Sequence, residues 1–129
     1  MTKTNFMDKY PIYSLEISKD ETSFTNVRQI IEHLHKTIES HPVAQYIATF
    51  DHYTHTTGLN GEVAESIKDA QNIIFCFGKA IPNTQILAVR PRSIGVCELE
   101  NSFALEFLEA PKPDINKAME GWALSIANK

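Results

Sequence analysis

Two short segments of the chain concentrate the side chains able to do chemistry. The first is Asp51-His52-Tyr53-Thr54-His55, which holds two of the five histidines, a carboxylate and a phenol within five positions. Histidine exchanges protons near neutral pH, so His52 or His55 suits general acid/base work, with Tyr53 or Asp51 orienting the ring. The second is Arg90-Pro91-Arg92-Ser93, which holds two of the three arginines. On an extended segment Arg90 and Arg92 point the same way, about 7 Å apart. Two guanidinium groups at that spacing can clamp a carboxylate or phosphate through paired hydrogen bonds, and Lys79 can join them. Ion pairing with local acids such as Glu98, Glu106 or Glu109 is the plainer use of the same arginines.

Spacing limits what these groups can do. If 51–55 is a strand, Asp51, Tyr53 and His55 share one face while His52 and Thr54 occupy the other, so the two histidines cannot hold one metal together. Cys76 and Cys97 would complete a two-Cys, two-His zinc set in composition. Zinc ligands usually come in close pairs, however, and these cysteines stand far apart in apolar segments, where a thiol is a small core side chain. Gly58-Leu59-Asn60-Gly61 and Phe77-Gly78-Lys79 are turn sequences without the glycine spacing of a phosphate or dinucleotide loop. No metal and no cofactor is expected, and no catalytic residue is assigned. The candidate ligand-contacting set is His52, Tyr53, His55, Lys79, Arg90 and Arg92.

The elements that must position these groups follow from periodicity. Tyr13, Leu15 and Ile17 alternate as in a half-buried strand. Phe24, Val27, Ile30, Ile31, Leu34 and Ile38 form the clearest helical stripe, with Asp20, Thr22 and Ser23 as alternative caps and His41-Pro42 as its end. Val43–Thr56 is rich in β-branched and aromatic residues and reads as one long strand, with a bulge because its apolar residues do not keep one parity. Glu62–Ala70 fits a short helix. Ile73–Phe77 is apolar on both faces, as in a strand covered on both sides. Ile86–Val89 is a short apolar run, and Pro91 implies a sheet edge or a turn. Ile94–Leu99 and Phe103–Leu108 are strands joined at Glu100-Asn101-Ser102. Asp114 is placed to cap a last helix with Ile115, Ala118, Met119, Trp122 and Ile126 on its stripe and Leu124 on the far side.

These elements predict a single α+β domain over residues 1–129. It has two layers: a mostly antiparallel sheet of five to six strands with two main helices on one face. The order β-α-β(4–5)-α resembles TATA-box-binding-protein-like and related helix-on-sheet folds in topology, which carries no function with it. The apolar second face of Ile73–Phe77 must be covered by a ligand, by the loop from Thr56 to Asn72 or by another subunit. A homodimer is the favoured expectation, since two-fold dimers are the commonest oligomers.

Charge narrows the partners. Net charge is −4 and no run of Lys or Arg exceeds one residue, so neither nucleic acid nor an anionic membrane surface finds a basic face. Met1–Tyr10 is polar, without the apolar core of a signal peptide, and no apolar stretch approaches the ~20 residues that span a bilayer. A cytoplasmic location with reduced thiols is expected.

Three segments, Phe50–His55, Ile74–Lys79 and Leu87–Cys97, resemble those of a small uncharacterised bacterial protein family, a likeness covering about the last two-thirds of the chain. The resemblance implies a cytosolic bacterial source and no activity, so no residue role is carried over. The favoured reading is a non-catalytic small-ligand-binding or regulatory module, acting as a homodimer on a small anionic or amphipathic molecule. The alternatives are a structural partner protein, contacting others through Leu124 and the outer sheet face, and an enzyme using His52 or His55 as acid/base with Arg90/Arg92 as anion clamp.

Overall fold

Residues 1–128 are described by the computed structural model. Six strands form one sheet: β1 (Thr2–Phe6), β2 (Tyr10–Ser18), β3 (Ala44–Phe50), β4 (Asp69–Phe77), β5 (Arg92–Glu98) and β6 (Ser102–Leu108). Their spatial order is β1-β2-β6-β5-β4-β3, and every neighbouring pair is antiparallel. Among the described residues there are four α-helices, three between strands and one after the last: α1 (Val27–Glu39), α2 (His52–Gly58), α3 (Ile86–Val89) and α4 (Pro113–Leu124). The expected α+β class, with two main helices on an antiparallel sheet, is what the chain adopts.

Strand alternation turns Ile73, Phe75 and Phe77 of β4, Ile94 and Val96 of β5, and Phe103, Leu105 and Phe107 of β6 to one face, where all are buried. The helical stripe of α1 meets that face through Val27, Ile30, Ile31, Leu34 and Ile38, all buried. Helix α4 adds Met119, Trp122 and Ala123, followed by Ile126 just past its end. Trp122 stacks parallel on Phe77 at 5.2 Å between ring centres, so the last helix is keyed to the last turn of β4.

Several local expectations are corrected. Asn26, rather than Asp20, Thr22 or Ser23, caps α1, its Oδ1 accepting the Gln29 N–H at 2.8 Å. The long strand over Val43–Thr56 stops at Phe50. The expected bulge is present, as a register shift between Tyr46 and Ala48. After Phe50 the chain turns into α2, because Asp51 caps it by accepting the Thr54 N–H at 3.0 Å. Glu62–Lys68 is loop with a single turn at Glu65-Ser66 rather than a helix, and Asp69 and Ala70 already belong to β4. The short apolar run Ile86–Val89 is one turn of helix. Leu99 N–H to Ser102 O at 2.8 Å closes the β5–β6 hairpin where it was placed. At the N-terminus, β1 pairs with β2 through a turn in which Met7 and Asp8 take φ of 55° and 57°. At the other end Lys112 stands at the N-cap of α4 without a side-chain hydrogen bond, while Asp114 lies inside the first turn.

The second face of β4 carries Ala70, Asn72, Ile74 and Cys76. Helix α2 and the loop after it fold over its Ala70 end, where Val63, Ile67, Ala70 and Cys97 enclose a shallow hollow. Toward the other end Ile74 faces Ala48 on β3 and Ser93 on β5. Among the described residues no helix is long and apolar enough to cross a membrane.

Candidate functional site

Four parts of the chain converge where β4 leaves the sheet and β5 enters it, and they enclose a cavity of about 240 Å³. Phe77 and Gly78 form the floor. His41 and Val43, the link from α1 to β3, form one side. The first turn of α4, with Lys112, Asp114 and Ile115, forms another, and Ile86 and Val89 of α3 close the third. Arg90 and Arg92 stand on the same wall, so the walls are mainly apolar with a few cationic groups set into them. That is the composition of small-molecule sites.

Arg92 is the residue most constrained here. It shares strand parity with Ile94 and Val96 and therefore points to the helix side of the sheet, where it is only 9% exposed. Its Nη2 donates to the carbonyl of Leu108, while Nε is buried with no acceptor. Among the described residues it has no carboxylate within ion-pair distance. Burial pushes its guanidinium below the ordinary value, the direction expected of a cation without a counter-charge.

Arg90 has a different task. Its Nη1 donates to the carbonyl of Ala80 at 2.7 Å, tying both ends of the segment that carries α3. The guanidinium lies against Gly78, whose φ of +96° and missing Cβ leave it room. The two arginines thus line one cavity, but each is bonded to a different backbone carbonyl rather than to Glu98, Glu106 or Glu109. Lys79 is exposed and lies outside the cavity wall.

His41 was legible only as the end of a helix. Its ring meets Phe77 and Trp122 edge-on, at 5.3 and 5.9 Å between ring centres. The Val43 N–H donates to its Nδ1 at 3.2 Å, which places the proton of the neutral ring on Nε2.

His52, Tyr53 and His55 lie elsewhere. On α2, His52 and His55 are three apart and fall on one side, contrary to the opposite faces a strand would impose. Both rings pack on Phe50, at 5.0 and 5.2 Å. His52 Nδ1 lies 3.3 Å from Asn72 Oδ1 on the outer sheet face. Tyr53 lines the hollow over Ala70 and Cys97. Gly78 follows Asn72 along β4 by about 20 Å, and Arg92 faces the opposite side of the sheet. The histidines and the arginines are therefore not brought into one cleft. The cysteines are also apart: Cys97 pairs with Ala70 at one end of β4, and Cys76 sits near the other. Burial, then Glu106 and Asp69, push the Cys97 thiol above its ordinary value, the direction opposite to that of an activated thiol.

The fold has a solved counterpart. The chain is similar to the crystal structure of an uncharacterized conserved protein, DUF302, from Bacillus stearothermophilus, with a TM-score of 0.65 at 13% identity, covering 89% of this chain and 97% of that chain. At that identity the likeness concerns the fold alone. No curated protein matches the chain. A family model does, over residues 1–128, in keeping with the resemblance to an uncharacterised family: the chain belongs to DUF6858, a family of unknown function.

Proposed function

We propose that the protein is a non-catalytic binding or regulatory module that takes a small amphipathic molecule into the cavity between β4, β5, α3 and α4. The observation that carries this reading is the cavity itself: about 240 Å³, walled by Val43, Phe77, Ile86, Val89 and Ile115, with polar groups at few points. An apolar cavity of about 150 Å³ holds a benzene ring, so the space suits one ring or a branched chain with a headgroup. An enzyme with His52 or His55 as acid/base and Arg90/Arg92 as anion clamp would need those histidines beside the arginines, and their separation counts against that reading.

We also propose that two copies pair through the outer sheet face. On that face Ile12 of β2 pairs with Leu108 of β6, and Ile74 of β4 pairs with Ser93 of β5 and Ala48 of β3. Helix α2 and its loop leave these residues uncovered. Leu108 is 48% exposed.

Backbone-amide NMR with a panel of single-ring and branched small amphiphiles tests the first statement. Shifts should cluster at Phe77, Gly78, Arg92 and Ile115; a panel without shifts, or shifts confined to α2, overturns it. Native mass spectrometry tests the second. A dimer that Ile74→Lys converts to a monomer supports it, and a wild-type monomer at micromolar concentration sinks it.

A further inference from the structure

We propose that the ligand of this cavity is a small monocarboxylic acid with an aromatic or branched apolar tail, its carboxylate held by the guanidinium of Arg92 with His41 as a second donor. The inference rests on reading the cavity as a binding site and adds the chemistry of its occupant.

A buried guanidinium without a counter-ion is the starting point. Removing a cation from water is unfavourable unless an anion and hydrogen-bond acceptors replace the water. Arg92 has one acceptor, the Leu108 carbonyl, and a buried Nε–H with none. The missing partner is therefore an anion with an acceptor oxygen. A carboxylate that meets the guanidinium through one oxygen has its second oxygen left for another donor. His41, which lines the same cavity, supplies one: with Nδ1 accepting from Val43 N–H, the neutral ring has its Nε2–H available.

Charge around the cavity agrees. Three cations, Arg90, Arg92 and Lys112, face one carboxylate, Asp114, although the whole chain is acidic. The twelve-residue helix α4 starts at the rim with no side chain capping its first-turn N–H groups, which adds positive potential at the same place. Asp114 in that turn sets a limit. It repels a doubly charged headgroup more than a singly charged one, which favours a carboxylate over a phosphate monoester. The apolar walls and the small volume likewise leave no place for a nucleotide.

The experiment is calorimetric titration of the full chain with benzoate, isovalerate, their neutral amides benzamide and isovaleramide, and inorganic phosphate, at two salt concentrations. At least one acid should bind, about tenfold or more tighter than its amide, with phosphate weaker than either acid. Arg92→Met, which replaces the cation by an apolar side chain of similar length, should bring the acid-to-amide ratio close to one. If that variant does not fold, Lys112→Gln on the exposed rim should weaken the acid severalfold and leave the amide unchanged. Amides that bind as tightly as acids overturn the carboxylate assignment while leaving the cavity a binding site. Phosphate binding tighter than both acids overturns it in favour of a phosphate headgroup. No binding by any acid or amide overturns this inference together with the binding-module reading beneath it.

Discussion

The guanidinium of Arg90 occupies the space where a Cβ on Gly78 would stand. Gly78 directly follows β4, and its N–H still bonds to Val43 O at 2.9 Å, so the pairing with the start of β3 carries on to the cavity floor before the chain turns away. Arg90 then reaches over that turn to the carbonyl of Ala80 at 2.7 Å. The segment from 79 to 89, with α3 and two apolar cavity residues on it, is anchored at both ends by this one side chain.

Gly78→Ala should be destabilising for two separable reasons. The φ of +96° is disfavoured for any residue with a Cβ, and the added methyl collides with Arg90. A loss of about 1–3 kcal/mol is expected, several degrees in Tm. Thermal melts of Gly78→Ala, of Arg90→Ala and of Gly78→Ala/Arg90→Ala tell the two apart. Measured against Arg90→Ala alone, which carries the cost of the lost Ala80 bond, the double variant should lose only the backbone part. A single variant melting with wild type would show that the turn does not take this conformation.

Asp51→Ala should loosen α2 rather than the whole fold. The carboxylate satisfies the Thr54 N–H at 3.0 Å, and loss of an N-cap of this kind costs about 1 kcal/mol. The helix lies on the surface with no fully buried residue, so the core should not notice. Amide hydrogen exchange at Thr54 should speed up by about fivefold, and Asp51→Ser should restore most of the protection. Unchanged exchange at Thr54 would mean that another group holds the start of α2.

This same cap explains the main misreading of the sequence. Tyr53, Thr54 and Thr56 have strand-like composition, so propensity extends the strand to Thr56, whereas one acceptor at Asp51 is enough to begin a helix. Strand β1 carried no pattern at all, since every one of its residues is exposed and none needs apolar alternation. Elements that bury a face were legible: the α1 stripe, the β5–β6 hairpin and α4 all stand close to where periodicity places them. For the site, the arginine pair was visible but its division of labour was not. Parity with Ile94 and Val96 was the available signal that Arg92 goes inward. His41 and Lys112 had no local signal, because what brings them to the cavity is the packing of α1 and α4 on one sheet.

His33 should make the fold sensitive to mild acid. Its Nε2 lies 2.7 Å from Ser125 Oγ, and that hydroxyl donates to Trp122 O at 2.6 Å, so the ring donates to the serine and joins α1 to the end of α4. Burial, and secondly the charge of Lys36, lower its pKa from the ordinary value. The sign follows from proton counting. Between the lowered folded pKa and the ordinary unfolded one near 6.5, the unfolded chain holds more protons than the folded chain, so stability falls as pH drops through that window. An NMR titration of the His33 ring should give a midpoint below that of an unstructured histidine. Denaturant melts should lose stability from about pH 6.5 downward, and His33→Gln should flatten part of that slope because glutamine does not titrate. A midpoint at or above the ordinary histidine value would show that the ring is solvated and that the contact with Ser125 does not hold α1 to α4.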